Sequence, residues 1–104
     1  MILIYTVCTN LKEAEKISQK LIKDKLAACV NYWQINSCYL WQGKMEREQA
    51  VALLIKTPTK NYQIVEEKIK ELHSDEVPAI FSWPADRAEE KYLQWIKNYE
   101  QKNK

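Results

Sequence analysis

Cys8 and His73 are two residues of this sequence whose side chains carry chemically reactive groups. Cys8 ends an apolar, β-branched run that begins at Ile2, and Thr9-Asn10 then supplies helix N-cap chemistry. The thiol is either held as a thiolate by the helix dipole or buried as a structural residue, and the pattern leaves both open. His73, the single histidine, offers copper or zinc a borderline ligand, or complements the C-terminal dipole of a helix. A single histidine without a second one is a poor metal site by spacing.

The remaining cysteines, Cys29 and Cys38, complete no pairing motif. The three thiols form neither an even disulfide framework nor a Cys-x-x-Cys pair, which is typical of a reducing compartment. The start of the chain also lacks the basic region and small-residue cleavage site of a signal peptide. We therefore expect a cytoplasmic protein. Cys29 follows two alanines in a predicted central strand, which favours a small core residue over a thiol that lines a cleft.

Charge and hydropathy argue against two classes of partner. The 16 basic and 14 acidic residues are interspersed, with a formal net charge of +2 and no evident stripe for a polyanion. No apolar run approaches membrane-spanning length. We therefore expect neither nucleic acid nor a membrane as a partner. Four Trp and six Tyr in 104 residues are instead typical of a small chain that buries part of its surface in an oligomer.

Hydrophobic periodicity and turn residues predict four strands and three helices. A polar interval at 34–36 predicts a bulge or bend. Gly43 followed by Lys44 predicts a type II′ hairpin turn with glycine first. Thr57 and Pro58 predict a helix N-cap and the first helical residue. The predicted strands cover 2–8, 26–33 with 37–41, 50–56 and 77–84, and the predicted helices cover 11–24, 58–72 and 89–101.

The order of these elements is β-α-β-β-α-β with an additional C-terminal helix. It predicts an α+β, ferredoxin-like fold in a single domain that spans residues 1–104. In this fold two helices cover one face of an antiparallel sheet, and the other face is left bare. We expect aromatic residues such as Tyr32, Trp33 or their alternating neighbours on the bare face. An apolar surface of this kind usually marks an interface.

Five short motifs are spread in order over nearly the whole chain. They are Leu26-Ala27-Ala28-Cys29-Val30-Asn31, Ser37-x-Tyr39-x-Trp41-x-Gly43-Lys44-x-Glu46, Ile55-Lys56-Thr57, His73-x-x-Glu76-Val77-Pro78 and Tyr92-Leu93-x-Trp95-Ile96. Together they resemble the divalent-cation tolerance (CutA-type) family. The resemblance implies a homotrimer of ferredoxin-like subunits in which the long hairpin, at about 30–57, pairs with neighbouring subunits. It also implies a non-enzymatic role in tolerance of copper and other divalent cations, in an architecture similar to that of PII signalling trimers.

The same resemblance implies two groups of site residues. Some bacterial members bind copper through a cysteine and two consecutive histidines, and the matching positions here are Cys8, Leu72 and His73. Leucine cannot coordinate a metal, so Cys8 and His73 are the predicted metal ligands. Asp75, Glu76 or a partner subunit would have to complete the site, and Ser74-Asp75 replaces the usual Pro-Tyr. The predicted intersubunit cleft, which would hold an anion or a metal complex or form ion pairs between subunits, comprises Cys29, Trp41, Lys44, Lys56 and Glu76.

Other functions of proteins with this element order fit the sequence less well. A heavy-metal-associated domain needs two thiolates spaced by two residues, and no such pair exists. An acylphosphatase-like enzyme needs an arginine after the first strand, where the chain has Thr9-Asn10-Leu11-Lys12. An RNA-recognition module needs a more basic setting. The alternative that stays open is a PII-like sensor trimer that binds a small anionic ligand or a protein partner in its intersubunit clefts.

Overall fold

Four strands and three helices make up the fold. The computed structural model describes the backbone of residues 1–102 and the side chains of residues 1–99, so the last residues of the predicted domain, 103–104, lie outside it. The elements are β1 (Ile2–Cys8), α1 (Leu11–Lys23), β2 (Cys29–Trp41), β3 (Lys44–Thr57), a 3₁₀ turn (Thr59–Asn61), α2 (Tyr62–Leu72), β4 (Ile80–Pro84) and α3 (Glu90–Lys102). The strands form one antiparallel sheet in the order β2-β3-β1-β4, which confirms the α+β, ferredoxin-like prediction.

The core lies between the sheet and the first two helices. Every second residue of β1 is buried, from Ile2 to Cys8, because alternate side chains of a strand point to the same face. Helix α1 contributes Ile17 and α2 contributes Ile69, and both side chains are completely buried. Burying one such side chain contributes about 1.5–3 kcal/mol. This packing fixes the positions of the end of β1, the start of α1 and the end of α2, where Cys8 and His73 lie.

The hairpin of β2 and β3 is longer and more regular than predicted. Pairing runs without interruption from Cys29 with Lys56 to Trp41 with Lys44. Of the bulge or bend predicted at 34–36, the bulge is therefore wrong. Strand β1 pairs with β3 only as far as Val51, so the hairpin projects beyond the sheet. A projecting two-stranded ribbon is solvated on both faces. Polar residues therefore interrupt the hydrophobic pattern there without interrupting the backbone ladder.

The hairpin turn is a two-residue loop of Gln42 and Gly43. Both residues have positive φ, at 52° and 78°. Positive φ at both central positions is characteristic of a type I′ turn, whereas the predicted type II′ turn has it only at the first. The prediction of Gly43 as the first loop residue, followed by Lys44, is therefore wrong by one position. Glycine takes the second central position instead, which type I′ turns also favour.

Three other predicted boundaries are also shifted. Strand β2 starts at Cys29 rather than at 26, because the backbone N–H groups of Leu26 and Ala27 donate to Leu21 at the end of α1. Thr57 ends β3 and its hydroxyl donates to the Leu26 carbonyl at 2.8 Å, so it is not an N-cap. Pro58 stays extended, with ψ 146°, and the first helical turn follows it. Strand β4 starts at Ile80 rather than at 77.

The sheet face opposite α1 and α2 carries exposed aromatic side chains, as predicted. Trp33, Phe81 and Trp83 keep 45%, 53% and 41% of their surface exposed. Phe81 lies 5.2 Å from the Tyr5 ring and 6.0 Å from the Trp83 ring, so these rings form a continuous cluster. Tyr32 lies instead on the face that α1 and α2 cover, because successive residues of a strand point to alternate faces. Among the described helices, none is long and apolar enough to cross a membrane.

Candidate functional site

Cys8, Glu13 and His73 converge at one end of the sheet. The Sγ atom, a carboxylate oxygen and an imidazole nitrogen all lie within 4.8 Å of one another. Cys8 is the last residue of β1, Glu13 lies in the first turn of α1, and His73 directly follows α2. The fold therefore brings together the two predicted metal ligands, 65 positions apart in the sequence, and adds a third donor that was not predicted.

Glu13 reaches the cluster because it belongs to the N-terminal cap of α1. The Asn10 side chain accepts a hydrogen bond from the Glu13 backbone N–H at 2.9 Å, and Glu13 Oε1 accepts from the Thr9 N–H at 3.0 Å. This arrangement is a variant of the capping box, in which the glutamate accepts from the N–H of the residue before the N-cap. It turns the carboxylate back over the end of β1. The Asn10-x-x-Glu13 spacing was therefore the sequence signal that could have identified Glu13.

His73 makes a hydrogen bond with each ring nitrogen. Nδ1 accepts from the backbone N–H of Asp75 at 2.9 Å, because a backbone N–H can only donate. Nε2 lies 2.7 Å from the carbonyl oxygen of Val7 and is therefore the protonated nitrogen that donates to it. The imidazole is thus the neutral Nε2–H tautomer. Its side chain is fully buried, and Nε2 lies 3.6 Å from Glu13 Oε1.

Cys8 is a buried neutral thiol. Burial, reinforced by the negative charges of Glu13 and Asp75, raises its pKa to about 12. The alternative of an exposed thiolate with a lowered pKa, which the sequence left open, is therefore wrong. Burial also acts to raise the pKa of Glu13, but hydrogen bonds from Ser74 and from the Thr9 backbone outweigh it and lower that pKa. The cluster is thus one anion between two neutral groups.

The three donors fit a borderline divalent cation by type. Thiolate sulfur and imidazole nitrogen suit copper and zinc, and a carboxylate oxygen also serves as a zinc ligand. Binding would require loss of the Cys8 proton and the release of one hydrogen bond of the His73 ring, either that of Nε2 to the Val7 carbonyl or that of the Asp75 N–H to Nδ1. Leu72 supplies no ligand atom, and its side chain packs against the hydrophobic core.

The predicted cleft residues fall into two separate groups. Trp41 and Glu76 line one cleft of about 920 Å³ beside the projecting hairpin. Lys44 pairs with Trp41 at the tip of the hairpin. Cys29 and Lys56 pair with each other at its other end, roughly 40 Å away along a strand that rises about 3.3 Å per residue. A single chain therefore does not bring these five residues together.

The cleft at the hairpin is acidic and partly aromatic. Its lining includes Glu46, Glu48, Asp75 and Glu76 together with Tyr39 and Trp41. Partial desolvation and the negative charges of Glu48 and Glu46 raise the pKa of Tyr39. At the other end of the hairpin, Lys56 Nζ lies 5.7 Å from the centre of the Tyr92 ring, so α3 lies close to this end of the sheet. The charge of the hairpin cleft favours a cation over an anion.

Comparison with known proteins identifies the family. Residues 2–99 match the family described as CutA1 divalent ion tolerance protein. The chain belongs to this family. It is 38% identical to the divalent-cation tolerance protein CutA of Archaeoglobus fulgidus, over 89% of this chain and 91% of that protein. It is also 38% identical to the CutA of Pyrococcus horikoshii, over 92% of this chain and 94% of that protein.

Solved CutA structures have the same fold. CutA1 from Pyrococcus horikoshii superposes with a TM-score of 0.90 at 36% identity, covering 94% of this chain and 96% of that one. The CutA structure from Archaeoglobus fulgidus, which is described as periplasmic, gives a TM-score of 0.90 at 36% identity and covers 94% and 97% of the two chains. The resemblance read from the sequence motifs is therefore confirmed over nearly the whole chain.

Proposed function

We propose that this CutA1-family chain acts in divalent-cation tolerance as a non-enzymatic homotrimer that binds copper or another thiophilic divalent cation. Cys8 and His73 are the proposed ligands, with Glu13 as the third. The observation that carries the proposal is the convergence of their donor atoms within 4.8 Å, from three elements that the hydrophobic core holds in place. The proposal makes Glu13, rather than Asp75 or Glu76, the residue that completes the donor set within one subunit.

The chemistry of the same cluster supports a non-enzymatic role. A cysteine acts as a nucleophile through its thiolate, and the pKa of Cys8, at about 12, leaves it protonated at neutral pH. His73, which would have to act as its general base, has its Nδ1 lone pair occupied by the Asp75 N–H. Both groups are buried, so a substrate has no direct access. A small ion needs far less space than an organic substrate.

The open sheet face supports the homotrimer. Trp33, Phe81 and Trp83 are aromatic anchors of the kind that dominate interface energetics, and all three are exposed in the isolated chain. The projecting hairpin adds Trp41, of which 61% is exposed. Assembly through this face would bury these rings, and the hairpins would then bring Lys44, Lys56 or Cys29 of one subunit towards the acidic cleft of another.

A PII-like sensor trimer is the alternative, with a small anionic ligand or a protein partner in its intersubunit clefts. The carboxylates of Glu46, Glu48, Asp75 and Glu76 in the hairpin cleft oppose an anion there. An anionic ligand would therefore depend on Lys44 or Lys56 from a neighbouring subunit. We favour the cation-binding function because it needs no such contribution.

We propose a cytoplasmic location. Cys8, Cys29 and Cys38 are all free, and free thiols are typical of a reducing compartment. A relative from Archaeoglobus fulgidus is nevertheless described as periplasmic. Fractionation of cells that express the tagged chain, with marker proteins for each compartment, checks this directly. Recovery with the secreted or periplasmic marker would contradict the proposal.

Native mass spectrometry of the reduced protein, titrated anaerobically with Zn²⁺ and Cu²⁺, tests assembly and metal binding together. We expect a trimer that takes up three ions. Cys8→Ser, His73→Ala and Glu13→Gln should each lose this uptake while the trimer persists. Cys38→Ser is the matched control, because Cys38 is exposed and lies outside the cluster. Uptake that survives all three cluster variants would refute the proposed ligands, and a monomer would refute the assembly.

A further inference from the structure

A groove of about 410 Å³ runs along α1 where it adjoins the end of α2. Its charged lining consists of Lys12, Lys16, Lys20, Lys23 and Glu15, and Leu72 is its apolar member. The lysines recur at intervals of four, four and three residues, which places them along one face of a helix. At about 1.5 Å per residue this stripe is roughly 16 Å long.

The positive charge of this lysine groove is largely uncompensated. Lys20 pairs with Asp24 at 3.3 Å. Lys12, Lys16 and Lys23 have no ion pair with any acidic side chain that the structure describes. Glu15 is the only carboxylate that lines the groove. A short, strongly positive channel remains, although the net charge of the chain is only +2.

The surroundings restrict the shape of an anion that fits. Helix α2 adjoins the groove at Leu72 and carries three carboxylates, of Glu66, Glu67 and Glu71, against two lysines, so its surface adds no excess of positive charge. A flat, extended polyanion such as a membrane or a nucleic-acid duplex would meet these carboxylates as well as the lysines. A narrow chain that follows α1 would not. Leu72, partly buried against the core, and the methylene stems of the lysines also favour a ligand with an apolar group.

The groove is also independent of the proposed trimer interface. Helices α1 and α2 cover one face of the sheet, and the exposed aromatic rings lie on the other. An assembly through the aromatic face therefore leaves α1 accessible on the outside. Each subunit of a trimer would present its own copy of the groove.

We propose that the lysine groove binds an acidic segment of a partner protein, with carboxylates along the lysines and an apolar side chain against Leu72. About five residues of extended chain span its roughly 16 Å, at ~3.3 Å per residue. Three or four carboxylates in such a segment would complement the free lysines. Charge complementarity of this kind sets specificity and the rate of encounter, and it weakens with salt.

Fluorescence anisotropy of a labelled peptide containing four glutamates around a central leucine tests the proposal on the full-length protein. We expect saturable binding that weakens about tenfold when two lysines are reversed in Lys16→Glu/Lys23→Glu, and that weakens further with added salt. Lys91→Glu/Lys97→Glu, which reverses two exposed lysines on α3, is the charge-matched control and should change affinity less than about twofold. Native mass spectra of all variants verify that assembly is unchanged.

Three outcomes would overturn the proposal. Equal losses in the groove variant and in Lys91→Glu/Lys97→Glu would show that only net charge matters. Binding of a DNA duplex or of anionic vesicles as tight as that of the peptide would identify a general polyanion surface. Absence of any peptide binding at low salt, by a correctly assembled protein, would exclude the groove as a site. Metal uptake is unaffected in all of these cases, so the result is separate from that for the proposed function.

Discussion

Zinc affinity should rise steeply with pH if Cys8 is a ligand, because its thiol must lose a proton to bind. Burial, then the charges of Glu13 and Asp75, raise the pKa of Cys8 to about 12. A pH of 7 lies about five units below that pKa, so ionisation of the thiol costs roughly 7 kcal/mol at about 1.4 kcal/mol per unit. Each pH unit gained recovers about 1.4 kcal/mol, which is a tenfold increase in apparent affinity.

The other two proposed ligands should not add to this dependence. His73 is already the neutral Nε2–H tautomer, because its Nδ1 accepts from the Asp75 N–H. The pKa of Glu13 lies below its ordinary value of 4.5, so this carboxylate is ionised throughout the neutral range. A plot of the logarithm of the zinc affinity against pH should therefore have a slope of about one between pH 7 and 9.

Competition with a chromophoric zinc chelator, corrected for protonation of the chelator, measures this slope. Cys38→Ser should retain it, because Cys38 lies outside the cluster. Cys8→Ser should bind weakly and lose the slope. A wild-type affinity that does not change with pH would refute the reasoning, since it would mean that Cys8 either does not bind the metal or is already ionised.

Three further experiments test the packing and electrostatics of the site. Ile69→Ala should lower the free energy of unfolding by about 2–5 kcal/mol in urea denaturation, whereas Ile64→Ala, 48% exposed on the same helix, should cost less than about 0.5 kcal/mol. The stabilisation from Glu13 is complete above its ordinary pKa of 4.5 and is lost as pH falls through its lower folded pKa. Glu13→Gln should therefore be destabilising at pH 7 and progressively less so as the pH falls below 4.5, and an effect that does not change with pH would contradict this. A maleimide should modify Cys38 rapidly and spare Cys8 in the native protein, as mass spectrometry of the labelled peptides would show, because only Cys38 is exposed.

The fold was predictable because its signals are local. The apolar run of β1, the helical spacing in α1 and the single glycine in the hairpin each define an element without help from distant residues. The predictions of element boundaries failed where one local sequence is compatible with two structures and distant residues decide between them. Thr57 could cap a helix or donate elsewhere, and only the approach of the Leu26 carbonyl decides the matter. The polar interval at 34–36 likewise says nothing about whether its backbone stays paired.

The site was predictable only in part. Sequence motifs identified Cys8 and His73, but they could not show that these residues meet, or that Cys8 is buried beside a carboxylate. Burial reverses the effect expected from the helix dipole, because desolvation of a thiolate costs more than a partial charge at a helix end returns. The sequence also could not show that the predicted cleft residues form two distant groups. Only the register of the hairpin shows this, since it places Trp41 and Lys56 at opposite ends.

Leucine at position 72, where the resemblance implies a histidine in some bacterial members, does not by itself remove the proposed metal function. Leu72 is partly buried against the hydrophobic core and lines the lysine groove, and its side chain offers no donor to the cluster. Glu13 supplies one, because its capping interactions direct its carboxylate to the cluster. An oxygen donor in place of a second nitrogen makes the site harder, which favours zinc over monovalent copper. On the proposed function, the ratio of Zn²⁺ affinity to Cu⁺ affinity should therefore be higher in the wild-type protein than in Glu13→His, which has a second imidazole. Competition between the two ions measures this ratio in each protein.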